Sequence, residues 1–387
     1  MRQAAFVITC LFLLSACNVA TPTPAVIPPA STRIPTVATL VPTITTAPKP
    51  SPSVAPTAVQ TAIPTTSPTI SAAPSALVVD VSAQKYIDDR STAISLLASL
   101  LNAINRHEYL RAYSYWEPDG SMHGTTLNVF QSGYSKTVSV QLTVGPVTGD
   151  TAAGNFYYTV SVVLNANTTD GTPQQFVACY LLHLANPTIQ GTLPFRSLGI
   201  KQGIARQVAN AADPISLLGS VCSDVGIPSG QPEPSQPVFD PADIGGARYL
   251  DDRSDSVQVL RSFFNAINRF EYLRAYSYWE AAAASSLLPS LDQFTEGYSD
   301  TLSVQLITGQ VSEDAGAGQT HYRVPVTLLA RTRSGQTQTF VGCYALHLSN
   351  PGIQSTEPFQ PLGIISAVVH QVDNAANTVD LMVSACN

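Results

Sequence analysis

Residues 86–117 read YIDDRSTAISLLASLLNAINRHEYLRAYSYWE, and residues 249–280 read YLDDRSDSVQVLRSFFNAINRFEYLRAYSYWE. The two stretches align without a gap, and 22 of their 32 positions are identical. Later landmarks return at nearly the same spacing, since Gly133-Tyr134-Ser135 recurs as Gly297-Tyr298-Ser299. Repetition over such a length predicts one structural unit that is present twice in the chain of 387 residues.

The stretches before and between the two copies are rich in proline. Thirteen prolines lie between Pro22 and Pro74, and five lie in residues 223–248. Proline favours extended chain, and the tether region offers few aromatic side chains to bury. The sequence therefore predicts a signal peptide at residues 1–16, a disordered tether at 17–79, a first repeat at 80–222, a linker at 223–248 and a second repeat at 249–387.

The amino-terminal residues have the features of an export signal. Arg2 precedes an apolar run at residues 4–14, which as a helix would reach only about 17 Å and is too short to span a bilayer. The following tetrad, Leu14-Ser15-Ala16-Cys17, resembles the lipobox of bacterial lipoproteins. The resemblance implies cleavage before Cys17 and a lipid on its sulfur, which would anchor the protein to a membrane on the extracytoplasmic side of the bacterial cell envelope. An ordinary secretory signal with a chance cysteine is the alternative.

Each copy predicts helices first and strands afterwards, which is an α+β order. Ile94, Leu97, Leu101 and Ile104 recur at helical spacing, and Ser91 or Asp89 is the expected N-cap. Alternating apolar residues, and a turn at Asp170-Gly171, predict the strands. In the first copy we expect further helices at 108–116 and 127–134, strands at 138–144, 156–166, 174–185 and 198–208, and a short helix near Cys222, with another near Cys386 in the second.

This element order resembles the nuclear transport factor 2-like superfamily, which includes polyketide cyclases of the SnoaL kind. The residues that carry the resemblance are the helix pair 93–116, the third helix and the strands 156–183. The resemblance implies two tandem cone-like domains, in each of which N-terminal helices pack in a curved antiparallel sheet. It also allows the two repeats to pack on one another.

Four cysteines remain after Cys10 in the signal and Cys17 are set aside. Cys179 and Cys222 are separated by 43 residues, and so are Cys343 and Cys386. Only one pairing closes identical loops within each repeat, so we predict the disulfides Cys179–Cys222 and Cys343–Cys386 in an oxidising compartment. Zinc is the alternative, but each repeat offers too few ligands, and we expect no metal and no cofactor.

The charge pattern excludes one class of partner. The chain has 19 basic and 26 acidic residues, a net charge of −7, and no basic block. Because phosphate binding needs clustered lysine and arginine, we expect no nucleic acid partner.

Few residues are candidates for chemistry. His183 and His347 occupy equivalent strand positions and are weak catalytic candidates, since enzymes of the superfamily use a histidine or aspartate in the pocket. Asp88-Asp89-Arg90 and its counterpart at 251–253 are better interpreted as helix caps than as acid–base pairs. A glycine-rich phosphate loop, a Gly-x-Ser-x-Gly elbow and a His-Glu-x-x-His helix are all absent from the sequence, which favours a non-catalytic protein.

The segment at 108–117, which recurs unchanged at 271–280, suggests a ligand site because aromatic side chains can line a pocket for an apolar or sugar ligand. The candidate ligand residues are Tyr109, Tyr113, Trp116, Tyr272, Tyr276 and Trp279. In the alternative interpretation these aromatic residues are core, and Glu108 and Arg111 form a surface ion pair.

Two functions are consistent with these patterns. The first is a lipid-anchored envelope protein that presents two duplicated, non-catalytic domains to an unknown envelope ligand or protein. Two linked copies would raise avidity for a repetitive target such as a polysaccharide or a wall polymer. The alternative is an enzyme of the cyclase or isomerase type that uses His183 and His347 in apolar cones.

Overall fold

This computed structural model describes residues 76–209, 213–223, 225, 231–232, 244–286 and 288–387. The predicted signal peptide, Cys17, nearly all of the tether and most of the linker lie outside the described residues. The described residues all belong to one compact unit, Thr69–Asn387.

The fold is α+β, and the succession of a long helix, shorter helices and an antiparallel sheet in the first repeat returns in the second. The first repeat contains α1 (Ala93–Asn105), α2 (Tyr109–Ser114), α3 (Leu127–Gly133), β1 (Leu77–Val79), β2 (Thr137–Ala152), β3 (Asn155–Thr168), β4 (Pro173–Ala185), β5 (Gly199–Val208) and the short β6 (Gln231–Pro232). The second contains α4 (Ser256–Asn268), α5 (Tyr272–Tyr276), α6 (Ala281–Ser286), α7 (Leu291–Gly297), α8 (Thr378–Ser384), β7 (Thr301–Thr308), β8 (Ser312–Gly316), β9 (Gln319–Thr332), β10 (Thr337–Ser349) and β11 (Gly363–Val372).

Each repeat has one antiparallel sheet. The first sheet has the order β1-β2-β3-β4-β5, with β6 pairing on β2. The second has the order β11-β10-β9-β7, with β8 pairing on β9. The predicted hairpin is confirmed, since β3 and β4 pair from Asn155 with Ala185 to Asn167 with Pro173 around a turn in which Gly171 has φ +79°.

The long helix of each repeat lies on one face of its sheet. Leu97 and Leu101 of α1 are buried with Leu142, Leu182 and Ile200 from three strands. Thr92 is the N-cap of α1, and its hydroxyl accepts a hydrogen bond from the backbone N–H of Ser95. Asp255 caps α4 in the same way. The expected caps, Ser91 and Asp89, are therefore wrong by one and three residues. The Ser91 hydroxyl instead accepts a hydrogen bond from Asp251 N–H, and the Asp89 carboxylate accepts one from Ser91 N–H.

The segment boundaries differ from the predicted ones at two places. Leu77–Val79, the last three residues of the predicted tether, form β1 and pair with Leu142–Val144 of β2. Gln231–Pro232, inside the predicted linker, also pair with β2. Both segments lie beside proline-rich sequence. A strand of only two or three residues is too short to show an alternating pattern, so the sequence did not predict either one.

Candidate functional site

The segment at 108–117, which recurs unchanged at 271–280, contains a buried arginine in each repeat. The Arg111 side chain is fully buried, and its guanidinium donates to Glu108 Oε2 at 2.6 Å, to Asn102 Oδ1 at 2.9 Å and to the Ile87 carbonyl. The second repeat forms the same bonds with Arg274, Glu271, Asn265 and Leu250. The predicted surface pair is wrong, since Glu108 is only 3% exposed. Because a buried ion pair needs every hydrogen bond satisfied, this cluster explains why the segment recurs unchanged.

The Asp-Asp-Arg triplets join the two repeats. Arg90 N–H donates to the Asp251 carbonyl at 2.7 Å, and Arg253 N–H donates to the Asp88 carbonyl at 2.7 Å. Asp89 and Asp252 face each other in this antiparallel bridge. These residues therefore form a junction between the repeats rather than helix caps. Each repeat donates one of the two backbone hydrogen bonds and accepts the other.

Hydroxyl groups complete this inter-repeat junction. The Ser254 hydroxyl accepts from Asp88 N–H at 2.9 Å, and the Ser91 hydroxyl accepts from Asp251 N–H at 2.8 Å. The buried Asp88 carboxylate accepts from Tyr115 Oη at 2.8 Å, which links the junction to the arginine cluster of its own repeat. The unchanged sequence thus serves both the interior of each repeat and the contact between them.

Two aspartates at the inter-repeat junction are harder to ionise than usual. Removal from water raises the pKa of Asp252 from 3.8 to about 7, and repulsion from Asp89 adds to that effect. The pKa of Asp89 is also raised, again chiefly by burial. Two like charges that approach each other out of water favour retention of a proton, so both carboxyl groups give up their protons less readily than usual.

Four of the six predicted aromatic ligand residues have packing roles. Tyr113 donates to the Thr125 carbonyl at 2.5 Å, and its ring lies edge-on to Phe130. Trp116 packs against Tyr180. In the second repeat, Tyr276 and Trp279 are packed against the core in the same manner. None of these four residues lines the depression described next.

Tyr109 is different, because it lines a surface depression between α2 and α3. This depression has a volume of about 480 Å³, and its other lining residues are Asn128, Gln131, Ser132 and Ser135. The lining combines one aromatic ring with amides and hydroxyls and contains no charged side chain. Such a surface suits a neutral hydroxylated ligand, which can stack on the ring and exchange hydrogen bonds with the polar groups.

The equivalent surface of the second repeat has another chemical character. Tyr272 corresponds to Tyr109 and stacks on Tyr298 with ring centroids 6.4 Å apart. Asp292 and Glu296 stand where the first repeat has Asn128 and Ser132. The repeats therefore share a scaffold but differ in charge at this position. Sequence reasoning missed the polar lining residues, because polar residues on a short exposed helix carry no signal of their own.

His183 lies in a row of polar side chains on the sheet. Its Nδ1 is 2.6 Å from Glu117 Oε1, and its Nε2 is 2.8 Å from Asn155 Oδ1. Tyr157 stacks on the imidazole at 4.9 Å. A Cβ on Gly199 would approach Glu117 Cγ to 2.8 Å, so this glycine leaves room for the carboxylate. His347 forms the same kind of row with Glu280, Gln319 and the stacked ring of His321.

Both histidines lie on the face of the sheet that points away from the core. Tyr180, Leu182 and Leu184 belong to the core, whereas His183 alternates with them along β4. Both of its ring nitrogens lie within hydrogen-bonding distance of other side chains. The enzyme alternative would need these histidines inside an apolar cone, whereas both lie on the outer face of the sheet.

The structure contains both disulfides with the expected pairing. Cys179 and Cys222 have Cα atoms 5.2 Å apart, and Cys343 and Cys386 have Cα atoms 5.1 Å apart. Cys179 lies on β4, on the same outer face as His183. Each bridge thus ties the C-terminal segment of a repeat to the outside of its sheet.

In the described part of the chain, no group of three or more histidine, cysteine, aspartate or glutamate side chains could hold a metal ion. None of the described helices combines the length and the apolar character needed to cross a bilayer.

Comparison of the chain with protein-family models, curated proteins and solved structures found no match.

Proposed function

We propose that this chain is a lipid-anchored protein of the bacterial cell envelope whose first repeat binds a neutral polysaccharide. The observation that carries the proposal is the depression at Tyr109, where an aromatic ring stands among uncharged amides and hydroxyls. The second repeat is bonded to the first through the inter-repeat junction and holds it in place. It presents an acidic surface, with Asp292 and Glu296, at the equivalent position.

The sequence features before residue 76 support the anchored location. Leu14-Ser15-Ala16-Cys17 has the pattern of a lipobox, and a proline-rich stretch separates it from the first described residue. Two or more acyl chains give stable anchoring, at about 0.8 kcal/mol per buried methylene. The disulfides agree with an oxidising compartment outside the cytoplasm.

The finer fold assignment is also part of this proposal. We propose that each repeat is a cone of the nuclear transport factor 2-like kind, with α1 or α4 inside a curved sheet. In the first repeat the interior is occupied by side chains such as Leu97, Leu101 and Ile200, which are at most 4% exposed. A filled interior supports a binding surface on the outside of the domain rather than catalysis within it.

The anchor is tested with the full chain expressed in a bacterium. The chain should partition into the membrane fraction, and mass spectrometry should find acyl chains on Cys17. The Cys17→Ser variant should remain uncleaved or appear without lipid. Recovery of unmodified Cys17 in the mature chain would exclude lipid anchoring and leave the secretory alternative.

The binding site is tested by affinity electrophoresis through gels that contain soluble neutral glucans, mannans or galactans. At least one polymer should slow the protein, and Tyr109→Ala should abolish the effect whereas Tyr109→Phe should retain it, because ring stacking needs no hydroxyl. Tyr272→Ala is the matched control in the second repeat and should leave the mobility unchanged. Equal loss in the two alanine variants would argue against the charge-based distinction between the repeats.

A further inference from the structure

The two repeats differ at one edge of their sheets. In the first repeat, β1 covers the outer edge of β2, with Leu77 opposite Val144, Val78 opposite Thr143 and Val79 opposite Leu142. In the second repeat, β7 corresponds to this part of β2, and its pairing partner among the described residues is β9 alone. The outer edge of β7 is thus open in the part of the chain that the structure describes.

Side-chain burial follows this difference. Leu142 and Val144 are 0% and 2% exposed beneath β1. Their counterparts Leu306 and Thr308 are both half-buried, and Ile307 between them is 46% exposed. The sequence of the edge itself hardly changes, since Val-Gln-Leu-Thr-Val at 140–144 becomes Val-Gln-Leu-Ile-Thr at 304–308. The additional exposure therefore accompanies an edge on which the described residues place no covering strand.

The second repeat has no equivalent of the β1 sequence. Val81 and Ile244 are equivalent, because both are buried and the carbonyl of each accepts a hydrogen bond from an α-helical asparagine. Counting back from them, Leu77-Val78-Val79 corresponds to Asp240-Pro241-Ala242, which lies outside the described residues. Aspartate is disfavoured in strands, and alanine has little apolar side chain with which to pack against the core as Val79 does. This tripeptide lacks the chemistry by which β1 covers its edge.

We propose that the open edge of β7 binds an extended apolar peptide from a partner protein, which adds to the sheet as an antiparallel strand. The occupant's chemistry follows from the same edge in the first repeat, where Leu-Val-Val occupies it. Val79, opposite Leu142, packs against the core, whereas Val78 is 74% exposed. The ligand therefore needs an apolar residue opposite Leu306, tolerates variation at the next position, and contains no proline opposite Leu306 or Thr308.

The probe is a fluorescein-labelled peptide with the sequence of residues 75–81, SALVVDV, titrated with the full chain in a fluorescence anisotropy assay. It should bind with a dissociation constant below about 1 mM. Peptides with Val79→Pro or Val79→Asp should bind at least about tenfold more weakly, because one removes the main-chain donor that faces the edge and the other places a charge against the core. Equal binding of the three peptides, or no binding, would overturn the proposal.

A variant of the protein closes the edge from within the chain. Asp240→Leu, Pro241→Val and Ala242→Val together give this tripeptide the Leu-Val-Val sequence of β1, so the triple variant should bind the peptide at least about tenfold more weakly than the parent chain. Unchanged peptide binding would show that the peptide binds elsewhere. A parent chain that is dimeric in sedimentation velocity and becomes monomeric in the triple variant would show that a second copy covers the edge, which also contradicts the proposal.

Discussion

Replacement of Asp252 by asparagine should make the protein more stable at neutral and alkaline pH but not in acid. Asp252 retains its proton in the folded chain up to a pKa of about 7, whereas in the unfolded chain it releases the proton near its ordinary value of 3.8. Asp252 therefore makes its full contribution to the free energy of unfolding of the wild type below pH 3.8, and that contribution is lost as the pH rises to about 7. Asparagine does not titrate and avoids this loss.

The size of the effect follows from the same two values. Each tenfold change in proton affinity is worth about 1.4 kcal/mol, so the difference between 3.8 and about 7 corresponds to at most about 4 kcal/mol at pH 8. The introduced asparagine can keep the existing hydrogen bond, because its amide oxygen replaces the Asp252 oxygen that accepts from Ser254 N–H at 2.8 Å. We therefore expect Asp252→Asn to gain a large part of that amount at pH 8 and little at pH 4.

The assay is urea unfolding followed by circular dichroism at pH 4, 5, 6, 7 and 8, with the disulfides intact. Asp89→Asn, on the other side of the inter-repeat junction, is the matched variant and should change stability in the same direction with pH, because burial raises the pKa of Asp89 as well. Asp119→Asn is the exposed control, with 64% of the carboxylate side chain accessible to solvent. A wild-type stability that does not fall between pH 4 and 7, or an equal effect of Asp252→Asn at every pH, would refute the reasoning.

Three further outcomes follow from the packing. Arg111→Met should destabilise the protein by about 3–5 kcal/mol in urea unfolding, because it leaves the Glu108 carboxylate buried without its guanidinium partner. A loss below about 1 kcal/mol would indicate that water reaches the Glu108 carboxylate. Removing the first disulfide through Cys179→Ala and Cys222→Ala should cost about 4 kcal/mol, as expected for a loop closed over 43 residues. Reductant should then lower the midpoint of unfolding less than in the wild type, because only Cys343–Cys386 remains to be reduced. Gly199→Ala should cost about 1–3 kcal/mol and shift the His183 imidazole resonances in NMR spectra, because the new methyl group displaces Glu117; unchanged resonances would contradict the close approach.

The secondary structure was largely predictable because its signals are local. Apolar residues at helical spacing identified α1, and strict alternation identified the strands and the hairpin at Asp170-Gly171. The predicted third helix, 127–134, agrees with α3 to within one residue. β1 was missed because three residues beside a proline-rich stretch do not establish a periodicity, and they become a strand only by pairing with β2.

The site residues were harder to predict because their surroundings come from distant parts of the chain. The pattern of residues 108–111 is equally compatible with a surface ion pair and with a buried one, and the packing of Asn102 and Ile87 around the guanidinium decides between them. The strand position of His183 was predicted, but which face of β4 meets the core depends on the register of the whole sheet. The polar lining of the Tyr109 depression arises only where α2 and α3 meet.

The sequence by itself determined the duplication, the order of helices and strands, and the pairing of four cysteines by their equal separations of 43 residues. Only the tertiary structure decided that Asp88–Arg90 joins the repeats, that the recurring arginines are buried, and that the histidines face outward. The physical reason is that periodicity and spacing record contacts along the chain, whereas burial and the meeting of like charges depend on which distant surfaces come together.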